Sequence, residues 1–152
     1  MNMERELHPK KFFTKEEDSQ IIRAIQKAEK ATSGELRIHL IKQIKKDPMR
    51  EAVRIFKLLG MHKTKQRNGC LILIGLKNKK VVVIGDKGIN DIVRNNFWDD
   101  VVAVMIEGFK KDKFVEGLER GILMIGEKLK QYFPYATDDV NELSDEISKE
   151  EL

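Results

Sequence analysis

A single cysteine, Cys70, leaves the 152-residue chain without an intrachain disulfide, so the fold depends on packing and hydrogen bonding alone. The thiol lies inside an apolar run and reads as a buried structural residue. The three histidines, His8, His39 and His62, show no HExxH or comparable spacing, and without a thiolate cluster to help them a zinc site is excluded. No uninterrupted apolar stretch approaches the roughly 20 residues that cross a bilayer. The N-terminal MNMERELHPKKFF also lacks the apolar core of a secretion signal, so the expected compartment is cytoplasmic and no membrane span is expected.

Other absences narrow the chemistry. There is no GxxxxGK[ST] phosphate loop, so neither a nucleotide nor an organic cofactor is expected. Ser33 precedes Gly34 outside any GxSxG elbow, and Cys70 has no arginine at phosphate-cradle distance, which removes two nucleophile classes. The acidic run DDVNELSDE lacks the glycine and the oxygen spacing of a calcium loop and reads as a solvated segment. Aromatics make up 7% of the chain, and Phe13, Phe56, Phe97, Phe109, Phe114 and Phe133 fall mostly on apolar faces. No stacking platform for bases is left exposed, so nucleic acid is not an expected partner.

What is present suits one soluble domain: 41% hydrophobic and 36% charged residues over 152 positions. The net charge of +4 conceals an asymmetry. From Pro134 onward seven acids face Lys149 alone, giving −6, so the preceding chain carries +10. That split implies either a tail folded across a basic face or two separate interaction surfaces.

Thr14 and Glu17 have capping-box spacing and open a helix over 15–31 with Ile21, Ile22, Ile25 and Ala28 as its apolar stripe. Thr32-Ser33-Gly34 ends it, Gly34 being expected in the left-handed conformation. Residues 35–41 alternate as a strand, with Arg37 and His39 on the more polar face. Asp47-Pro48 opens a second helix, N-cap followed by N1 proline, with Met49, Ala52, Val53 and Phe56 on one side and Gly60 as its stop. Residues 70–76 (CLILIGL) show no alternation and read as a strand covered on both faces. The turn 77–80 leads to a hairpin partner over 81–85. Helix is expected near 89–95, over 98–111, and to about 133 on the repeat Phe114, Leu118, Ile122, Ile125, Leu129, Tyr132. Gly117 and Gly121 on one face of that last helix predict a closely packed neighbour.

Strand, helix, strand implies a parallel pair with a right-handed crossover, and the short turn implies an antiparallel one. The turns 32–35, 67–69 and 85–88 therefore share one edge of the sheet. Lys42, Lys45, Lys46, Lys77, Lys79 and Lys80 collect at the opposite edge as a basic pole. At the first edge Asp86 joins Glu35, Asn68 and Arg67, and Gly85 and Gly88 permit close backbone approach. Oxygen ligands gathered in a loop corner suit Ca2+ or Mg2+, with Asp99 and Asp100 completing the set. The same residues also read as a plain structural corner: Asp86 an N-cap, Glu35 paired with Arg67, glycines making turns.

The segments TSGELRIHL, RNGCLILIGL, VVVIGDKGI, Phe97-Trp98, GLERGILMIGEKL and YFP…NELSDEI stand in the order and spacing of the TPM domain family, which this chain resembles over about residues 12–147. The resemblance implies an α/β fold, a three-layer α/β/α sandwich around a small mixed sheet of about four strands, with residues 1–11 as an N-terminal extension and 148–152 as an acidic tail. It also implies a corner site for divalent cations, calcium in some members, and acid phosphatase activity in a plant member. From the shared sheet edge and the shared segments, the expected metal-site residues are Asp86, Glu35, Asp99 and Asp100, with Ser33, Arg67, Asn68, Lys87 and Gly88 as ligand-binding neighbours. Two departures stand out: Ser144 replaces the proline usual in NELPDEI, and the leader and membrane anchor of many relatives are not seen. Three functions follow as expectations: a cation-dependent module acting through a protein partner, a metal-assisted phosphatase in which Arg67 or Lys87 steadies phosphate, and a metal-free adaptor using its basic pole or acidic tail.

Overall fold

The computed structural model describes residues 5–94, 96–135 and 147–150. The first helix, α1 (Lys15–Glu29), starts on the expected capping box, the Thr14 hydroxyl accepting from the Glu17 amide and the Glu17 carboxylate accepting from the Thr14 amide. Glu17 also takes a two-pronged ion pair from Arg5, both contacts at 2.7 Å, and Arg5 lies over the Phe12 ring. Phe12 and Phe13 are thereby held in the core.

Strand β1 (Glu35–Ile41) is followed by α2 (Pro48–Leu58), whose N-cap Asp47 accepts from the Met49 amide. Gly60 stops α2 at φ +71°, a conformation that side chains resist. A 3-10 turn (Met61–Lys63) leads to β2 (Gly69–Gly75), and β3 (Lys80–Gly85) folds back on it. Then come α3 (Lys87–Asn90), α4 (Asn96–Lys110), α5 (Phe114–Tyr132) and a short strand β4 (Ser148–Lys149). The sheet order is β3-β2-β1-β4, with β1 parallel to β2 and β4, and β2 antiparallel to β3. The fourth strand implied by the family resemblance is thus present, and it is made by residues of the acidic segment.

Two apolar clusters fix three layers. Leu36, Ile38, Leu40, Cys70 and Ile72 pack with Ile21 and Ile25 of α1, Val101 and Met105 of α4, and Ile122 and Ile125 of α5. On the other face Ile41, Leu71, Leu73 and Val82 pack with Ala52, Ile55 and Phe56 of α2 and with Met61. Every residue of β2 is buried, as its unbroken apolar run requires. The Gly117–Gly121 face of α5 does meet a close neighbour: Gly117 lies against Gly108 and the Met105 carbonyl of α4, and Gly121 against the Met105 side chain.

Two local expectations are corrected. Met49 and Val53 of α2 are exposed at 53% and 41%, because the sheet accepts the stripe Ala52, Ile55, Phe56 and Leu59, rotated from the one expected. Gly34 is not left-handed. A methyl there would stand 2.8 Å from Leu129 Cδ2, so what the position requires is room for α5.

Candidate functional site

The start of β1, the start of β2 and the end of β3 share one rim, as their directions demand, and the three turns are bonded to one another. The Ser33 hydroxyl accepts from Gln66 Nε2 at 3.0 Å and from Asn68 Nδ2 at 3.3 Å. The Glu35 amide donates to the Asn68 carbonyl at 3.3 Å, the Asp86 amide to the Gly69 carbonyl at 2.9 Å, and the Gly88 amide to the Arg67 carbonyl at 2.9 Å. Gly88 is required by this last approach, since a methyl would fall on the Gln66 carbonyl and 2.7 Å from that of Arg67.

At the centre of the rim, Asp86 is only 7% exposed and Arg67 is half exposed. The guanidinium meets the carboxylate with both prongs, Nε to Oδ2 at 2.7 Å and Nη2 to Oδ1 at 2.9 Å, the strong geometry for such a pair. Asp86 also accepts from the Lys87 amide at 2.7 Å as N-cap of α3. The carboxylate holds the Arg67 guanidinium pKa above its ordinary value through that hydrogen bond and its charge. Arg67 itself has a left-handed backbone, φ +51°, which turns its side chain across to the third turn.

The other expected carboxylates are placed differently. Glu35 and Asp86 flank Gly69 in one row across three strands, about 10 Å apart at two inter-strand spacings. Above Gly69 the space is filled by Met61 and Phe56, the Met61 carbonyl lying 3.2 Å from where a methyl would be. Asp99 and Asp100 are exposed near the start of α4. Among the described residues no three or more His, Cys, Asp or Glu are grouped so as to hold a metal ion. The partner expected for Glu35 under the plain structural reading, Arg67, is taken by Asp86.

The donor chemistry at the rim still suits a hard cation: the Asp86 carboxylate, the Ser33 hydroxyl, the Asn68 side chain and the turn carbonyls are all oxygen ligands. In this structure the cation beside Asp86 is Arg67, so a metal ion fits only as its competitor.

Two groups that could serve acid-base or nucleophilic chemistry are unsuited to it. Cys70 is wholly buried, and burial pushes its thiol far above the usual range. Burial also lowers His39 to about 4, with Arg37 and Arg54 adding to the effect and Glu150 and Glu51 opposing it. Its Nδ1 is 2.7 Å from Ser148 Oγ, whose own proton goes to the Ile38 carbonyl. His39 thus donates to the serine and pins β4, four residues along β1 from the rim.

Sequence reasoning missed Gln66, which ties the second turn to Ser33. It also missed Asn90, which donates to the Gly85 carbonyl at 2.8 Å and accepts from Trp98 Nε1 at 3.1 Å. Their signals were available: Gln66 adjoins the Arg67-Asn68 turn, and Asn90 follows the N-cap of α3 by one helical turn.

Comparison with known proteins agrees with this architecture. A family model described as the TPM domain matches residues 8–128. The solution NMR structure of the BA42 protein from the psychrophilic bacterium Bizionia argentinensis is similar at 44% identity and a TM-score of 0.86, covering 92% of this chain and 97% of that one. The N-terminal domain of a protein from P. gingivalis shares the fold at 15% identity and TM-score 0.65, covering 80% and 78% of the two chains. The N-terminal domain of the cg2496 protein from Corynebacterium glutamicum does so at 8% and 0.60, covering 77% and 74%. Among curated proteins no sequence matches.

Proposed function

Given that this chain belongs to the TPM domain family, we propose that it is a binding module whose working surface is the three-turn rim, and that a calcium-type divalent cation, with magnesium as the alternative, competes there with Arg67 for Asp86. The supporting observation is the pairing of a buried carboxylate with a half-exposed arginine. A side chain so placed can swing into solvent without disturbing the core, and leaving it there costs little because its charge stays hydrated.

Asp86 would hold the ion, helped by the oxygens of Ser33 and Asn68. Glu35, behind Met61, and Asp99 and Asp100, on α4, would join only if the turns rearranged. A bound ion supplies a fixed positive charge where the arginine supplies a mobile one. Arg67 and Lys87, both on the rim, would then be free to face a protein partner, and the domain would act as a cation-responsive adaptor rather than as a phosphatase.

Calorimetric titration of calcium and magnesium into the wild type, Arg67→Gln and Asp86→Asn tests this. Binding should tighten in Arg67→Gln and vanish in Asp86→Asn, which keeps an N-cap side chain. Binding that persists in Asp86→Asn, or heat that is absent from both wild type and Arg67→Gln, would show that the rim takes no cation.

A further inference from the structure

At the end of the sheet opposite the rim, the β1–α2 and β2–β3 loops are stitched into one surface by Asn78. Its side chain accepts from the Ile44 amide at 3.3 Å and donates to the Ile44 carbonyl at 2.7 Å, while the Lys77 amide donates to the Lys42 carbonyl at 2.7 Å. The two loops present Lys42, Lys45, Lys46, Lys77, Lys79 and Lys80, all exposed. None of these six side chains forms an ion pair with a described residue. Lys46 and Lys79 sit at φ 56° and 54°, at the turns where the two loops reverse.

Among the described residues, the acids nearby are Asp47, Glu51 and Glu150. Asp47 is engaged as the N-cap of α2, Glu51 is paired with Arg54 at 2.6 Å, and Glu150 receives the Lys42 amide at 3.1 Å. Beside the lysines, on the first two turns of α2, Met49 and Val53 stand out at 53% and 41% exposure. These are the apolar residues that the sheet declined to bury.

We infer that this pole is a docking surface for a negatively charged lipid bilayer. Charge complementarity chooses an anionic partner, since six ammonium groups on one end of the molecule, none in an ion pair with a described residue, repel one another until counter-charge is supplied. The two exposed aliphatic side chains choose a bilayer among anionic partners, because they can enter the headgroup boundary while the lysines meet the phosphates. A nucleic-acid strand would instead want aromatic rings to stack on. The exposed tyrosines, Tyr132 and Tyr135, lie at and just beyond the C-terminal end of α5, away from the pole loops. Docking in this way would leave the three-turn rim facing away from the membrane. The inference does not depend on whether the rim binds a cation.

Co-sedimentation with vesicles of 30% phosphatidylserine in phosphatidylcholine, against pure phosphatidylcholine, tests the inference at low and high salt. The wild type should sediment with the anionic vesicles only and be released by salt. Lys45→Glu/Lys77→Glu/Lys80→Glu should lower partitioning by about 100-fold or more, and Met49→Ser/Val53→Ser should weaken it several-fold with the charge unchanged. A circular dichroism spectrum identical to wild type secures the fold of each variant. No partitioning onto anionic vesicles overturns the inference. So does partitioning indifferent to the Met49/Val53 pair together with tighter binding to a single-stranded RNA homopolymer, which would mark the pole as a nucleic-acid surface.

Discussion

Gly88→Ala is the substitution that separates a rim built from three interlocked turns from three turns that happen to be neighbours. The added methyl would fall on the Gln66 carbonyl and 2.7 Å from the Arg67 carbonyl. Both are main-chain atoms, so rotamer changes cannot relieve the clash and the second and third turns must part. Parting them loses the Gly88 to Arg67 hydrogen bond, about 0.5–1.5 kcal/mol, and overpacking adds about 1–3 kcal/mol. Against this, alanine gains up to about 1 kcal/mol over glycine in the helical backbone of α3. The net loss is about 0.5–4.5 kcal/mol, or about 2–14 °C in Tm for a chain of this size. Urea denaturation gives the energy, and amide chemical shifts at residues 33, 66–68 and 86 report the displacement. A variant as stable as the wild type, with those shifts unmoved, would refute the interlocked rim.

Three further outcomes are expected. Because folding lowers His39 to about 4, the unfolded chain binds more protons between pH 4 and 6.5. Stability from this group is complete above 6.5 and is lost as pH falls toward 4, with a slope of up to about 1.4 kcal/mol per pH unit; His39→Gln should flatten that part of the stability–pH curve, and an unchanged curve would show that the ring is not buried neutral. Thr14→Ala removes one half of the capping box and should cost about 1 kcal/mol in urea denaturation; no loss would mean that Arg5 alone secures Glu17 and the first turn. Gly108→Ala places a methyl 2.7 Å from Gly117 Cα, forcing α4 from α5, and should destabilise by about 1–3 kcal/mol despite its better helix propensity; a more stable variant would show that the two helices are not packed backbone to backbone.

The parts of the fold that local chemistry determines were legible. The capping pair Thr14–Glu17, the Asp47-Pro48 start and the Gly60 stop are each set by a few neighbouring atoms. Strand directions followed from connection lengths, and from them the meeting of the three turns. What escaped depends on distant contacts. Residues 48–59 carry two overlapping apolar stripes, and only the sheet decides that Ile55 goes in and Met49 stays out. Ser148 and Lys149 have no strand signature; they pair with β1 because His39, inside the neighbouring strand, holds the serine hydroxyl. At the site, the convergence of turns was readable, whereas the distribution of charge within it was not: Arg67 takes Asp86, and Met61 fills the space between Asp86 and Glu35.

Calcium titration followed by amide chemical shifts, run on the wild type and Arg67→Gln in parallel, tests the cation-responsive rim most directly. Amides of residues 33–35, 66–69 and 85–89 should move together and saturate, at lower calcium in Arg67→Gln. If those amides stay still while others move, or if Arg67→Gln responds no sooner than the wild type, Asp86 is not where this protein meets a cation.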